Sequence, residues 1–198
     1  ITNVNDIAPV FTSEATFSAA ENQTTIGSVV ATDAEGDAVT FTVSGSELAI
    51  TSAGVLIFAS APDYETKSSY TATVTATDGV NPVTQDITVT VTNVNDIAPV
   101  FTSEATFSAA ENQTAIGTVT ATDAEGDAVT FTISGSELAI TSAGVLTFVS
   151  APDYETKSSY TATMTAFDGV NSSIQDITVN VTNVNDIAPV FTSEATFS

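Results

Sequence analysis

The sequence contains no cysteine, no histidine and no tryptophan, and only two basic residues, Lys67 and Lys157, stand against 24 Asp and Glu. Each lack removes a class of explanation. Without cysteine no disulfide staples the fold, and the redox compartment cannot be read. Without histidine or a thiol, the common acid–base and nucleophilic machinery is missing. A formal charge of -22 argues against nucleic acid and anionic membranes as partners, because both need Lys and Arg to displace counterions. It favours a cation partner, or solubility in a salty medium. No apolar run approaches the ~18 residues of a membrane-spanning helix. Disorder is the other reading of such charge, but 42% of residues are hydrophobic and their positions are patterned.

What is present is a repeat. The phrase Val-Asn-Asp-Ile-Ala-Pro-Val-Phe begins at Val4, Val94 and Val184, 90 residues apart each time. Setting residue i against i+90 gives 198 − 90 = 108 pairs, of which 13 differ. The chain therefore reads as a section of a tandem array. Residues 1–7 are expected to be the tail of a preceding unit, 8–97 a first full unit, 98–187 a second, and 188–198 the first strand of another.

Within a unit the apolar residues alternate with period two. Tyr70, Ala72, Val74 and Ala76 alternate with threonines, as do Ile87, Val89 and Val91. That is the mark of half-buried strands. Seven strands are expected, at roughly 10–19, 27–32, 39–44, 48–51, 54–59, 69–77 and 84–93, and they suggest a two-sheet sandwich. The differences between copies agree. Val30→Thr and Ile57→Thr fall on the expected outer face, Val74→Met on the inner one, and Thr77→Phe at an expected exposed strand end. Tyr64, Tyr70 and the phenylalanines are expected to be core or strand packing. A small, threonine-rich core without disulfides should be only marginally stable by itself.

The acids gather at the expected strand ends and unit junctions. Unit one offers Glu21 in Ser-Ala-Ala-Glu-Asn-Gln, Asp63 and Glu65 in Ala-Pro-Asp-Tyr-Glu-Thr-Lys, and Asp96 in Asn-Val-Asn-Asp-Ile-Ala-Pro-Val-Phe. Unit two offers Asp123, Glu125 and Asp127 in Asp-Ala-Glu-Gly-Asp, and Asp168 in Ala-Phe-Asp-Gly-Val. Taken alone, Asp63-Tyr64-Glu65 reads more readily as a solvated turn, Asp37 as a turn cap, and Glu14, Glu47 and Asp86 as surface charges. Five motifs in fixed order and repeated say more. An all-oxygen donor set without His or Cys suits a hard cation, and disfavours zinc or copper.

That motif set resembles the cadherin repeat and, more narrowly, the cadherin-like repeats of giant bacterial surface adhesins. The resemblance covers both units and both flanking pieces. It implies an all-β fold of two tandem seven-stranded Greek-key β-sandwiches, of cadherin or immunoglobulin type, joined by calcium-bound linkers. In that family the upper repeat supplies the Glu of Ala-Glu-Asn, here Glu21, and the acids of Asp-x-Glu, here Asp63 and Glu65. The linker supplies the carbonyl of Asn95 and the carboxylate of Asp96. The lower repeat supplies Asp123 and Glu125, a backbone carbonyl near Asp127, and Asp168. The flanking joints would use Asp6, Asp33, Glu35 and Asp78 at the start, and Glu111, Asp153, Glu155 and Asp186 at the end. The chain departs from the family's pattern at Asn93, Ile97 and Glu125, where it often has Asp, a ligand Asn and Asp. Two or three ions per complete junction are expected.

The function so implied is mechanical rather than enzymatic: calcium-rigidified extender repeats of a cell-surface, extracellular adhesin. The expected partners are calcium and neighbouring repeats, and the section is expected to be monomeric. Two alternatives stand. One is a carbohydrate-binding module, gripping polysaccharide, for which the sequence offers no clear aromatic platform. The other is a homophilic adhesion module.

Overall fold

The computed structural model describes residues 4–191. The chain divides between Val94 and Asn95 into two compact units, and each is described by itself. In unit 1 the strands are β1 (Val10–Phe11), β2 (Thr16–Ala20), β3 (Thr25–Ser28), β4 (Ala31–Thr32), β5 (Thr40–Val43), β6 (Leu48–Ile50), β7 (Val55–Phe58), β8 (Ser69–Thr77) and β9 (Pro82–Thr92). Unit 2 repeats them as β10 (Val100–Phe101), β11 (Thr106–Ala110), β12 (Ala115–Thr118), β13 (Ala121–Thr122), β14 (Thr130–Ile133), β15 (Leu138–Ile140), β16 (Val145–Phe148), β17 (Ser159–Phe167) and β18 (Ser172–Thr182).

Each unit is all-β. In unit 1 a four-stranded sheet runs β2-β9-β8-β5 and a three-stranded sheet β3-β7-β6, with β1 and β4 paired separately. All these pairs are antiparallel except β2 with β9, which is parallel, Thr16 opposite Thr88 through Ala20 opposite Thr92. The core draws on both sheets: Phe41, Val74, Ala76, Ile87, Val89 and Val91 from one, Leu48, Leu56 and Phe58 from the other. Unit 2 reproduces it, with Met164 filling the place of Val74 at no exposure.

The expected strands 10–19 and 27–32 are each broken in two, so seven chain segments yield nine strands. The break has a physical cause. The carbonyl of Val30 accepts from the N–H groups of both Thr12 and Ser13, at 2.8 and 3.2 Å, and the Val30 N–H donates to Ser13 Oγ at 3.1 Å. The chain leaves β1 there and crosses to pair β2 with the other sheet. Gly54 fixes the facing turn. Its φ is +88°, and a Cβ there would stand 2.2 Å from the Val29 carbonyl oxygen. Only glycine fits such an approach.

At the substituted positions Val30 and Phe167 are exposed and Val74 and Met164 are buried, as expected, whereas Ile57, expected on the outer face, is half-buried between the buried Leu56 and Phe58. Tyr64 is a correction. It lies in the turn after Pro62 and is exposed, as is Tyr154, because its backbone N–H rather than its ring is what the fold uses. Of the expected further strand at 188–198, residues 192–198 lie outside the described residues, as do 1–3 of the expected leading tail. Val190 and Phe191 form no strand and are exposed.

Candidate metal-binding ends of each unit

The turn Asp33-Ala34-Glu35-Gly36-Asp37 follows β4 at one end of unit 1. Asp33 Oδ1 accepts from the N–H groups of Glu35 and Asp37, at 2.8 and 3.2 Å, a self-bonded acidic turn of the kind Asp favours. Glu35 then reaches back to the incoming chain, its Oε2 accepting from the N–H groups of Asp6 and Ile7 at 3.0 and 2.9 Å. A third piece comes from the loop between β8 and β9. Asp78 Oδ1 accepts from the N–H groups of Val80 and Asn81, both at 2.7 Å, and the Asn81 amide donates to Asn5 Oδ1 at 2.8 Å.

Unit 2 builds the same end. Glu125 Oε2 accepts from the N–H groups of Asp96 and Ile97, both at 3.0 Å. Asp168, buried at 7% exposure, accepts from the Val170 and Asn171 N–H groups at 2.7 and 2.6 Å. The Asn171 amide donates to the Asn95 carbonyl oxygen and to Asn95 Oδ1, at 3.2 and 2.6 Å. Ligand oxygens of Asp33, Glu35 and Asp37 lie within 4.8 Å of one another, as do those of Asp123, Glu125 and Asp127.

The opposite end is organised by one buried glutamate. Glu21 and Glu111 are each 3% exposed. Glu21 Oε2 accepts from the Tyr64 N–H and Oε1 from the Val94 N–H, both at 2.7 Å. Glu111 does the same with Tyr154 and Val184, at 2.8 and 2.6 Å. In unit 2 the ligand oxygens of Glu111, Glu155 and Asp186 fall within 4.8 Å of one another. Asn183 donates its amide to Glu155 Oε1 at 2.7 Å, and Asn112 donates to Asp186. Asp153 is not in this group. Its Oδ2 accepts from the Thr156 hydroxyl at 2.9 Å, and Asp63 does the same with Thr66.

The electrostatics are one-sided. Lys67 pairs with Glu47 and stands 4.4 Å over the Tyr70 ring; Lys157 pairs with Glu137 over Tyr160. Both cations are thus paired with Glu47 and Glu137, which belong to neither group of end acids. Hydrogen bonds favour the charged form of Asp63, Asp78, Asp153 and Asp168. Burial pushes the carboxyls of Asp78 and Asp168 up, but hydrogen bonds from the facing N–H groups and amides outweigh it and hold both below the ordinary 3.8. The Thr66 and Thr156 hydroxyls lower Asp63 and Asp153.

Three carboxylate oxygens, Asp33 Oδ2, Asp123 Oδ2 and Asp168 Oδ2, are buried without a hydrogen-bond partner. A buried carboxylate oxygen left without a partner is costly even where the other oxygen is hydrogen-bonded, and a hard cation with several oxygen ligands is the chemistry that satisfies it. The donor set fits calcium. The amide pairs Asn5–Asn81 and Asn95–Asn171, and the bracing role of Glu21 and Glu111, are not apparent from motif reading alone. Their sequence signal is the fixed spacing of Asn81 three residues after Asp78.

No family model matches the chain. Among curated proteins it is 30% identical to mouse protocadherin Fat 4 over 223 residues, covering 98% of this chain and 4% of that protein. It is 30% identical to human cadherin-23 over 199 residues, covering 89% and 6%. It thus spans a small fraction of the length of these relatives. The structure of mouse cadherin-23 EC22-24 superposes with a TM-score of 0.77 at 25% identity, covering 91% of this chain and 68% of that one. That of human protocadherin-24 EC1-2 superposes at 0.76 and 22%, covering 90% and 100%. The chain is therefore a tandem of cadherin-like repeats, of the extracellular, cell-surface kind.

Proposed function

We propose that the two units are calcium-stiffened extender repeats of a long cell-surface adhesin, with repeats at 8–97 and 98–187. Calcium would be held by Glu21, Asp63, Glu65, Asn95, Asp96, Asp123, Glu125, Asp127 and Asp168 at the complete joint. Asp6, Asp33, Glu35 and Asp78 form half of a preceding joint, and Glu111, Asp153, Glu155 and Asp186 half of a following one. A bacterial surface adhesin is the parent we favour. Copies differing at 13 of 108 positions point to recent duplication of a spacer, in which number of units matters more than individual surface.

The observation that carries this reading is uncompensated charge on the Asp-x-Glu ends: buried, unpartnered oxygens on Asp123 and Asp168, with both lysines committed elsewhere. Two like charges 4 Å apart repel by about 4 kcal/mol at an effective dielectric of 20. Calcium reverses that repulsion and locks the carboxylates that create it. The work is mechanical, and no catalytic step is assigned. Small-angle scattering with and without calcium tests it: the maximum dimension is expected to fall, or its distribution to broaden, on chelation. An unchanged profile overturns the reading.

A further inference from the structure

The two units differ most usefully on one surface. Along β17 and β18 the buried set is Met164, Ala166, Ile177, Val179 and Val181, so Thr163, Thr165 and Phe167 face outward, with Ile174, Asp176 and Thr178 beside them. Thr165 stands opposite Ile174, and Thr163 opposite Asp176. Phe167 and Ile174 are then diagonal neighbours on the outer face, a separation an aromatic ring bridges. They are 41% and 72% exposed. In unit 1 the same two positions are Thr77 and Thr84. Of the few changes between copies, two therefore place large apolar side chains together on a wet face, against the usual economy of a sheet's solvent side.

The patch continues into a polar hollow. A cavity of about 480 Å³ is lined by Ser134, Thr161, Thr163, Asp176 and Thr178 among others. Ser134 Oγ accepts from the Thr163 N–H at 2.9 Å, and Asp176 Oδ1 accepts from the Thr163 hydroxyl at 2.6 Å. Ser134 and Asp176 both line the hollow. Unit 1 has the same hollow, around Ser44, Thr73 and Asp86, without the apolar margin. At about 3.3 Å per residue, Thr163 and Phe167 are some 13 Å apart.

We propose that this outer face of unit 2 binds a neutral oligosaccharide. Such a chain presents C–H faces to Phe167 and Ile174 and hydroxyls to Asp176, Ser134 and Thr163, the mixture of apolar wall and few convergent polar groups that small-ligand sites use. The charge of -22 repels acidic polysaccharides and a second copy of the chain, but leaves a neutral glycan unaffected. This site borders the Asp168 turn through Phe167, but Asp176 belongs to none of the calcium ligand sets and the proposal does not rest on the calcium reading.

The test uses the whole chain, isotope-labelled, with calcium present throughout. The probes are β-1,4-linked hexasaccharides of glucose, mannose and xylose, followed by amide chemical shifts. At least one is expected to move Thr163, Thr165, Phe167 and Ile174 while leaving Thr73, Thr75, Thr77 and Thr84 still. The double variant Phe167→Thr, Ile174→Thr should weaken binding at least tenfold. The reverse pair, Thr77→Phe, Thr84→Ile, should create a second site in unit 1. Each variant borrows the residue the other unit already carries, and an unchanged melting midpoint confirms folding. The proposal is overturned if no probe shifts these amides or if both units respond alike. It is also overturned if the wild type sediments as a dimer that the double variant dissolves, which would make a second copy the occupant.

Discussion

The carboxylate of Glu111 takes the N–H of Val184 at 2.6 Å, across 73 residues of chain, and Glu21 takes the N–H of Val94 across the same separation. A buried anion thus fastens the strand that leaves each unit to the turn that follows its second strand. Hydrogen bonds to charged groups contribute about 1.5–3 kcal/mol each, and Glu111 makes two. Replacing it with alanine leaves the Tyr154 and Val184 N–H groups unpaired. Glu111→Ala is expected to destabilise unit 2 by several kcal/mol in chelator, and Glu111→Gln by less. Urea unfolding without calcium measures it.

Calcium should raise the melting temperature. At a concentration about 100 times the dissociation constant, each site adds roughly 2.7 kcal/mol. Asp168→Asn keeps the shape but lowers the charge, and is expected to shrink the calcium-dependent rise. A titration followed by calorimetry checks both. An identical rise in the variant would remove Asp168 from the ligand set.

Sodium chloride offers an independent reading. In chelator the acids repel, and at 1 M salt the screening length falls from about 10 Å at 0.1 M to about 3 Å. The calcium-free chain should melt higher in salt. With calcium bound the same salt should matter less.

The pH dependence follows from the lowered carboxyls. Asp63, Asp78, Asp153 and Asp168 all titrate below 3.8 in the folded chain. A group depressed on folding stabilises the folded state above its unfolded value and loses that contribution as pH falls through the folded one. Stability in chelator should therefore vary little through these groups at neutral pH and drop below about pH 4. Asp78→Asn and Asp168→Asn should flatten that acid limb.

Two glycines separate crowding from conformation. Gly54→Ala meets the Val29 carbonyl, whereas Gly45, with φ of +82°, has open space where a Cβ would go. The expected cost at Gly45 is about 1 kcal/mol, the penalty of a left-handed alanine. Gly54→Ala should cost several times that in denaturant unfolding.

The alternation of Thr with apolar residues made β8 and β9 legible almost to the residue, because a sheet with one wet face writes its period into the sequence. The breaks at residues 12–15 and 29–30 were not legible. They come from one carbonyl, Val30, shared by two N–H groups 17 and 18 residues away, and nothing local encodes that. The acids were legible as clusters because Asp and Glu are otherwise rare on these strands. Their bracing by Asn81, Asn171 and the linker N–H groups was not, since the spacing of Asn81 after Asp78 does not name a partner 76 residues away. Tyr64 misleads for the same reason: the ring looks like core, while the fold needs its backbone.

One detail of topology bears on the load such a chain would carry. The strand near the start of each unit, β2, lies parallel to the last, β9, with five residues in register. Tension applied through the two ends drags these neighbours lengthwise in opposite directions. Their hydrogen bonds must then rupture together in shear instead of peeling apart in turn, so the weakest-looking edge of the sheet is oriented to resist being pulled.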